Sequence, residues 1–144
     1  MRYFFFMCCS ALCLASAALS AAELQLTHAE VRAPLPGRTV TAGYFQLQND
    51  STKSIELVSA SSPAFEVIEL HQHIEQDGMM RMVEVASIEV DAGARLIFAP
   101  GGLHMMMFTP TQPLVIGETV PVTLQFKDGS QLQFAFPLVA MPRR

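Results

Sequence analysis

The chain has 144 residues, of which 51% are hydrophobic and 15% are charged, and its formal net charge is −4. A chain of this size forms one domain with one core. The mildly acidic balance and the lack of a basic stripe exclude nucleic acid as a partner, because the terminal pair Arg143-Arg144 is too short to form such a stripe.

Residues 1–22 have the three parts of a secretory signal peptide. Arg2 supplies a basic start, residues 3–19 form an apolar run, and Ser20-Ala21-Ala22 supplies small residues at the end. A signal peptide is removed on export and forms no part of the folded domain. We therefore predict a signal peptide at 1–22 and one folded domain at 23–144. Small and polar residues interrupt the apolar run, so we expect no stable membrane insertion after the signal is removed.

Removing this segment changes the chemistry of the chain. All three cysteines, Cys8, Cys9 and Cys13, lie in the segment, so the exported form has no thiol and folds without disulfides. The residues before Cys13 match a lipoprotein signal poorly. The segment contains one basic residue, Arg2, and no acidic one, so the net charge of the remainder is −4 − 1 = −5.

After residue 22, apolar and polar residues alternate in short runs, which is the period of half-buried β-strands. Turn residues separate these runs. The extended runs span 24–31, 40–48, 54–59, 65–74, 80–85, 87–90, 94–99, 104–108, 120–126 and 132–138. No helical stripe and no internal repeat is present. We predict an all-β domain of eight or nine strands, as a sandwich or small Greek-key barrel.

Residues 71–106 contain a set of donors for one soft metal ion. These are His71, Met82, His104 and Met106. Thioether sulfur is a soft, uncharged ligand that suits Cu(I), whereas imidazole accepts Cu(I), Cu(II) or Zn(II). Two sulfurs and two nitrogens together therefore predict one bound Cu(I) ion.

Strand geometry makes this set plausible. His104 and Met106 are two residues apart and share one face of a strand, so Met105 and Met107 face the other way, where they can fill the core. A hairpin turn centred on Asp77-Gly78 places Met82 opposite His73 and diagonal to His71. A turn centred on Gln76-Asp77 would instead place Met82 directly opposite His71.

Three function classes are alternatives to a copper carrier. An electron-transfer blue-copper protein needs a cysteine ligand, which the exported chain lacks. An enzyme is disfavoured, since no Ser-His-Asp arrangement and no glycine-rich phosphate loop can be assembled. A binding module that uses the same sandwich without a metal remains an alternative, because fold does not determine function.

The spacing of the four residues resembles the ligand pattern of the periplasmic copper chaperones called PCu(A)C. Ten residues separate His71 from Met82, and twenty-one separate Met82 from His104-Met105-Met106. The flanking stretches are similar as well and cover residues 28–138. They are Thr41-Ala42-Gly43-Tyr44, Val67-Ile68-Glu69-Leu70-His71, Met80-Arg81-Met82 and Pro100-Gly101-Gly102-Leu103-His104.

This resemblance implies a cupredoxin-like fold, a periplasmic location and Cu(I) ligation by His71, Met82, His104 and Met106. It also implies delivery of copper to the CuA centre of cytochrome oxidase, directly or through a thiol-bearing assembly partner. A copper-buffering or tolerance role is the alternative within the same chemistry. We expect the protein to be monomeric.

Several neighbouring residues have two interpretations. His73 is the best substitute ligand, although a solvated side chain is the simpler expectation. His28 has no spaced partner and is expected to be structural or exposed. Met79 and Met80 are expected to fill space beside the turn, with capture of metal by exposed side chains as their other role. Glu69 is expected to be solvated, with orientation of an imidazole as its other role.

Overall fold

The computed structural model describes residues 23–142, so the predicted signal peptide at 1–22 and the final Arg143-Arg144 lie outside the described residues. Ten β-strands occur in this range. They are Leu24–Arg32 (β1), Val40–Asn49 (β2), Ile55–Ser61 (β3), Phe65–Gln76 (β4), Met79–Glu84 (β5), Ile88–Val90 (β6), Arg95–Phe98 (β7), Leu103–Pro110 (β8), Thr119–Phe126 (β9) and Gln131–Val139 (β10). The all-β prediction is confirmed. Residues 23–142 contain no helix with the length and hydropathy of a membrane span.

The number of strands is ten, where the sequence predicted eight or nine. The segments around 87–90 and 94–99 each form a separate strand because they join different neighbours. Strand β6 pairs with β3, whereas β7 pairs with β2. The turn at Asp91 and Gly93 between them therefore carries the chain from one part of the sheet to another.

The strands follow the hydrogen-bonded order β5-β4-β8-β7-β2-β1-β10-β9-β3-β6, with a further pairing between β8 and β2. The two halves of this order are joined by a short parallel pairing of β1 with β10, at Val31–Leu138 and Arg32–Val139. Phe45 of β2 contacts Phe136 of β10, with ring centroids 5.8 Å apart. The halves therefore face each other as the two layers of a sandwich.

The core between the layers follows the predicted alternation. On β9, the side chains of Val120, Val122, Leu124 and Phe126 are buried, and the residues between them are half-buried. Successive strand residues point to opposite faces, so every second residue enters the core. The same alternation on β8 determines which side chains remain outside.

The β4–β5 hairpin turns at Asp77 and Gly78, which have positive φ angles of 54° and 73°. Two successive positive φ values match the type I′ turn that Asp-Gly favours. The turn places His73 opposite Met82 and His71 opposite Glu84. This is the first of the two predicted registers, and the alternative with Met82 opposite His71 is wrong. Strand β5 forms one edge of the sheet.

Candidate metal centre

Strand β8 presents its residues to two different environments. Met105 and Met107 are fully buried in the core, as the sequence predicted. Gly43 of the neighbouring strand β2 gives them room, because a Cβ atom there would lie 2.7 Å from Met105 Cε and 3.1 Å from Met107 Sδ. With these two methionines held inside, His104 and Met106 lie on the outer face of the layer.

Strands β4 and β5 add residues to the same outer face. Direct partners across the strands are His71 with His104, Glu69 with Met106, and His73 with Met82. Residues directly opposite one another share a face of the sheet. The resulting surface, called here the His/Met face, consists of Glu69, His71, His73, Met82, His104 and Met106. All four predicted ligands lie on it.

His104 is 3% exposed although it lies on the outer face, and it is one of few buried polar side chains. Its Nδ1 donates a hydrogen bond to the Gly102 carbonyl at 3.0 Å. This tautomer leaves Nε2 as a lone-pair donor, and Nε2 is buried without a partner. Burial lowers the pKa of His104 below its usual 6.5. This effect is larger than that of the Gly102 hydrogen bond, which raises the pKa.

His71 is oriented by a neighbouring carboxylate. Its Nε2 donates to Glu69 Oε2 at 2.8 Å, and its Nδ1 is buried without a partner. A carboxylate that accepts from one imidazole nitrogen fixes the tautomer and directs the other nitrogen toward a metal. The expectation that Glu69 is merely solvated is wrong, because its place two residues before His71 puts both on the same face.

His73 lies against the other two histidines. Its ring stacks on His104 with centroids 4.9 Å apart and planes 27° apart, while the His71 and His104 centroids are 5.9 Å apart. His73 Nδ1 is also buried without a hydrogen-bond partner. The expectation of a fully solvated His73 is therefore wrong. Its position was visible in the sequence, but its burial depends on the third strand, β8.

The two methionines flank the histidines. Met106 is half-buried beside His104 on β8, and Met82 is 46% exposed on the edge strand β5. In the sheet, the Glu69–Met106 pair lies on one side of the His71–His104 pair, and the His73–Met82 pair lies on the other side. Flexible thioether side chains can therefore approach that pair from both sides.

Other predicted candidates lie elsewhere. Met79 and Met80 are 57% and 63% exposed, so the expectation that they fill space is wrong; the hairpin tip extends past the strands that would cover them. His28 on β1 is exposed, which is one of the two states expected for it. Its φ of 52° places it in an irregularity of the β1–β2 pairing.

The donor chemistry of this face fits a soft cation. Burying a polar atom without a hydrogen bond is costly, and three imidazole nitrogens on one face carry that cost. Within residues 23–142, no group of three or more His, Cys, Asp or Glu side chains forms a metal site by itself. The thioethers of Met82 and Met106 are further soft donors on the His/Met face.

A protein-family model described as "Putative lipoprotein LpqE-like" matches residues 24–138 of the chain. Among curated proteins, the chain is 34% identical over 116 residues to "Putative lipoprotein Lxx21020" of Leifsonia xyli subsp. xyli, covering 80% of this chain and 69% of that protein. It is 35% identical over 92 residues to the uncharacterized protein RP573 of Rickettsia prowazekii, covering 63% and 51%, respectively. The chain thus spans about half the length of the second relative.

Solved structures resemble the fold. A copper-bound PCuAC domain from PmoF2 aligns with a TM-score of 0.70 and 20% identity, over 86% of this chain and 98% of that domain. The protein DR1885 of Deinococcus radiodurans aligns in its apo form with a TM-score of 0.65 and 28% identity, over 98% and 95% of the two chains. Its Cu(I) form aligns with a TM-score of 0.58 and 31% identity, over 87% and 80%.

Proposed function

The chain belongs to the LpqE-like family of PCu(A)C domains, and we propose that it carries one Cu(I) ion, held by His71, Met82, His104 and Met106. One observation carries this proposal. Two buried imidazole nitrogens, His71 Nδ1 and His104 Nε2, lack partners on the face that also presents the two thioethers. The Cu(I) form of DR1885, which is 31% identical, supports the choice of metal.

The composition of the site suits transfer of copper rather than catalysis. Four neutral ligands leave the bound Cu(I) with its positive charge, which favours later transfer to an anionic thiolate. Met82 is half-exposed on the edge strand, so an acceptor can replace it without unfolding the core. The protein therefore acts as a monomeric carrier that gives copper to a protein ligand, and it is not an enzyme.

The acceptor we propose is the CuA centre of cytochrome oxidase, or a thiol-bearing assembly partner of that enzyme. The exported form of the chain works in the periplasm. Export is supported by the word lipoprotein in the description of the family and in the name of the Leifsonia xyli relative. A copper-buffering role uses the same ligands. Deleting the gene distinguishes the two: a carrier is needed for oxidase activity at limiting copper, whereas a buffer is needed for growth at excess copper.

A Cu(I) competition titration with a chromogenic chelator tests the binding site. The purified protein is expected to hold one colourless Cu(I) equivalent, and separate replacement of His71, Met82, His104 and Met106 is expected to weaken binding each time. An intense visible band after addition of copper would indicate a thiolate-type blue site and contradict the proposal.

Replacing Glu69 by alanine is expected to lower Cu(I) affinity by about 10–100-fold, the usual cost of losing a partner that orients a metal-binding histidine. The reason is that the His71 ring would lose its 2.8 Å hydrogen bond and its fixed tautomer. The same titration measures the effect. Glu66→Ala, an exposed change earlier on the same strand, is the matched control. Equal affinities of the two variants would show that Glu69 does not orient the ligand.

Cu(I) affinity is expected to fall as the pH drops below about 6.5, because protons compete with the metal for imidazole while thioethers do not titrate. Burial holds the pKa of His104 below 6.5, so this ring stays neutral to a lower pH than a free histidine. Protonation of His104 therefore reduces Cu(I) affinity only in the lower part of this pH range. The measurement is a titration series from about pH 7 to about pH 5. A flat affinity over this range would exclude histidine ligation.

A further inference from the structure

His73 is the one imidazole of the His/Met face that the four-ligand site leaves unused. Its Nδ1 is buried without a partner, as are His71 Nδ1 and His104 Nε2. Three unpartnered imidazole nitrogens on one face are more than a site with two imidazoles and two thioethers requires. The third nitrogen therefore implies either a separate bound cation or a contact with the same cation as the other two.

The backbone fixes His73 beside His104. The Gly102 carbonyl accepts the His73 backbone N–H at 3.3 Å and also the His104 Nδ1–H at 3.0 Å. The same oxygen thus anchors both residues, and their rings lie 4.9 Å apart. His73 is also directly opposite Met82, so the nitrogen of one and the sulfur of the other border the same side of the His71–His104 pair.

The two oxidation states of copper prefer different donors. Thioether sulfur suits Cu(I), whereas imidazole suits Cu(II), which binds nitrogen sites more tightly than other divalent metals of its row. We propose that the His/Met face also binds Cu(II), through His71, His73 and His104, with His73 taking the position that Met82 takes for Cu(I). This inference rests on the proposed function, since it uses the same face and the same metal.

The three rings do not close around one point among the described residues. Closure requires the His73 ring to turn about its Cβ–Cγ bond, and this torsion is broad in histidine. His73 is half-buried and lies on β4, next to the edge strand β5. His71 and His104 keep the tautomers set by Glu69 and Gly102.

The competing role for His73 is to cover His104 from solvent by stacking. A His73→Phe variant separates the two roles, because phenylalanine keeps an aromatic ring over His104 and removes the nitrogen donor. His28→Asn is the control for adventitious binding, since His28 is exposed and asparagine tolerates its positive φ.

The experiment loads the purified wild-type, His73→Phe and His28→Asn proteins with one equivalent of copper(II) sulfate and records EPR and electron spin-echo modulation spectra. The wild type and His28→Asn are expected to show three coordinated imidazoles. His73→Phe is expected to show two and to bind Cu(II) at least about tenfold more weakly, the lower end of the cost of losing even an outer partner of a ligand. Cu(I) affinity, measured by chelator competition, is expected to be unchanged in His73→Phe.

The possible failures are distinguishable. Identical Cu(II) spectra and affinities of wild type and His73→Phe would overturn the role of His73 as a Cu(II) ligand. Normal Cu(I) binding in the same experiment would leave the proposed carrier function intact. A wild-type protein that binds neither ion would overturn both. Loss of Cu(I) affinity in His73→Phe would also overturn the proposal, since His73 would then belong to the Cu(I) site.

Discussion

The Met82→Ile/Met106→Ile double variant is expected to lose Cu(I) retention, with an affinity lowered by more than about 100-fold. The loss of a single outer partner of a ligand already costs about 10–100-fold, and this variant removes both soft donors of the proposed site. Met82 is 46% exposed and Met106 is half-buried on a strand. Isoleucine is favoured in strands, so the fold and the thermal midpoint are expected to remain close to those of the wild type.

The matched control is the Met79→Ile/Met107→Leu double variant, which also removes two sulfurs. Met79 pairs with Gln76 and faces away from the site, and Met107 lies in the core. This control is expected to retain Cu(I), because neither sulfur lies on the His/Met face. Equal retention by the two double variants would mean that the sulfur ligands, if any, are other methionines.

Replacing Phe45 by alanine is expected to lower the free energy of unfolding by about 3–5 kcal/mol, the usual cost of truncating a buried phenylalanine. Phe45 is fully buried. Its ring stacks on Phe98 at 4.3 Å and meets Phe136 edge-on at 5.8 Å, so it contacts its own layer and the opposite one. Urea denaturation measures the change, and thermal unfolding is expected to shift down by more than about 10 °C.

Ile97→Ala is the control for this stability prediction. Ile97 precedes Phe98 on the same strand but is 49% exposed, and exposed substitutions usually change stability by about 0.5 kcal/mol or less. A Phe45→Ala cost below that of Ile97→Ala would show that the Phe45 contacts do not hold the layers together. Folded Phe45→Ala protein is expected to bind Cu(I) normally, since Phe45 faces the core and the proposed ligands face outward.

The strand pattern was largely predictable because alternation with period two is a local property of the sequence. Every predicted run became a strand, and most differences are one or two residues at the ends. Strand β4, for example, was predicted to end at residue 74 and continues to Gln76, because Gln76 pairs with Met79 across the turn. The ends of strands depend on such partners, which the alternation of one strand does not reveal.

The candidate site was predictable in part for the same reason. The separation of Met105 and Met107 from His104 and Met106 follows from strand alternation, and the Asp77-Gly78 turn fixed which residues of the hairpin face each other. The contact of Glu69 with His71 joins two residues of one strand, and orientation of an imidazole was one of the two roles expected for Glu69. The burial of His73 against His104 was not predicted, because it arises where β4 meets β8, far apart in the sequence.

Spacing and side-chain chemistry were enough to predict the all-β fold, the two faces of each strand and the four residues proposed to bind copper. The pairing of β8 with β4 could be known only from the folded structure. That pairing brings His104 next to His71 and His73 and shields their nitrogens from water. The physical reason is that burial and hydrogen bonding depend on neighbours in space, whereas alternation depends only on neighbours in the chain.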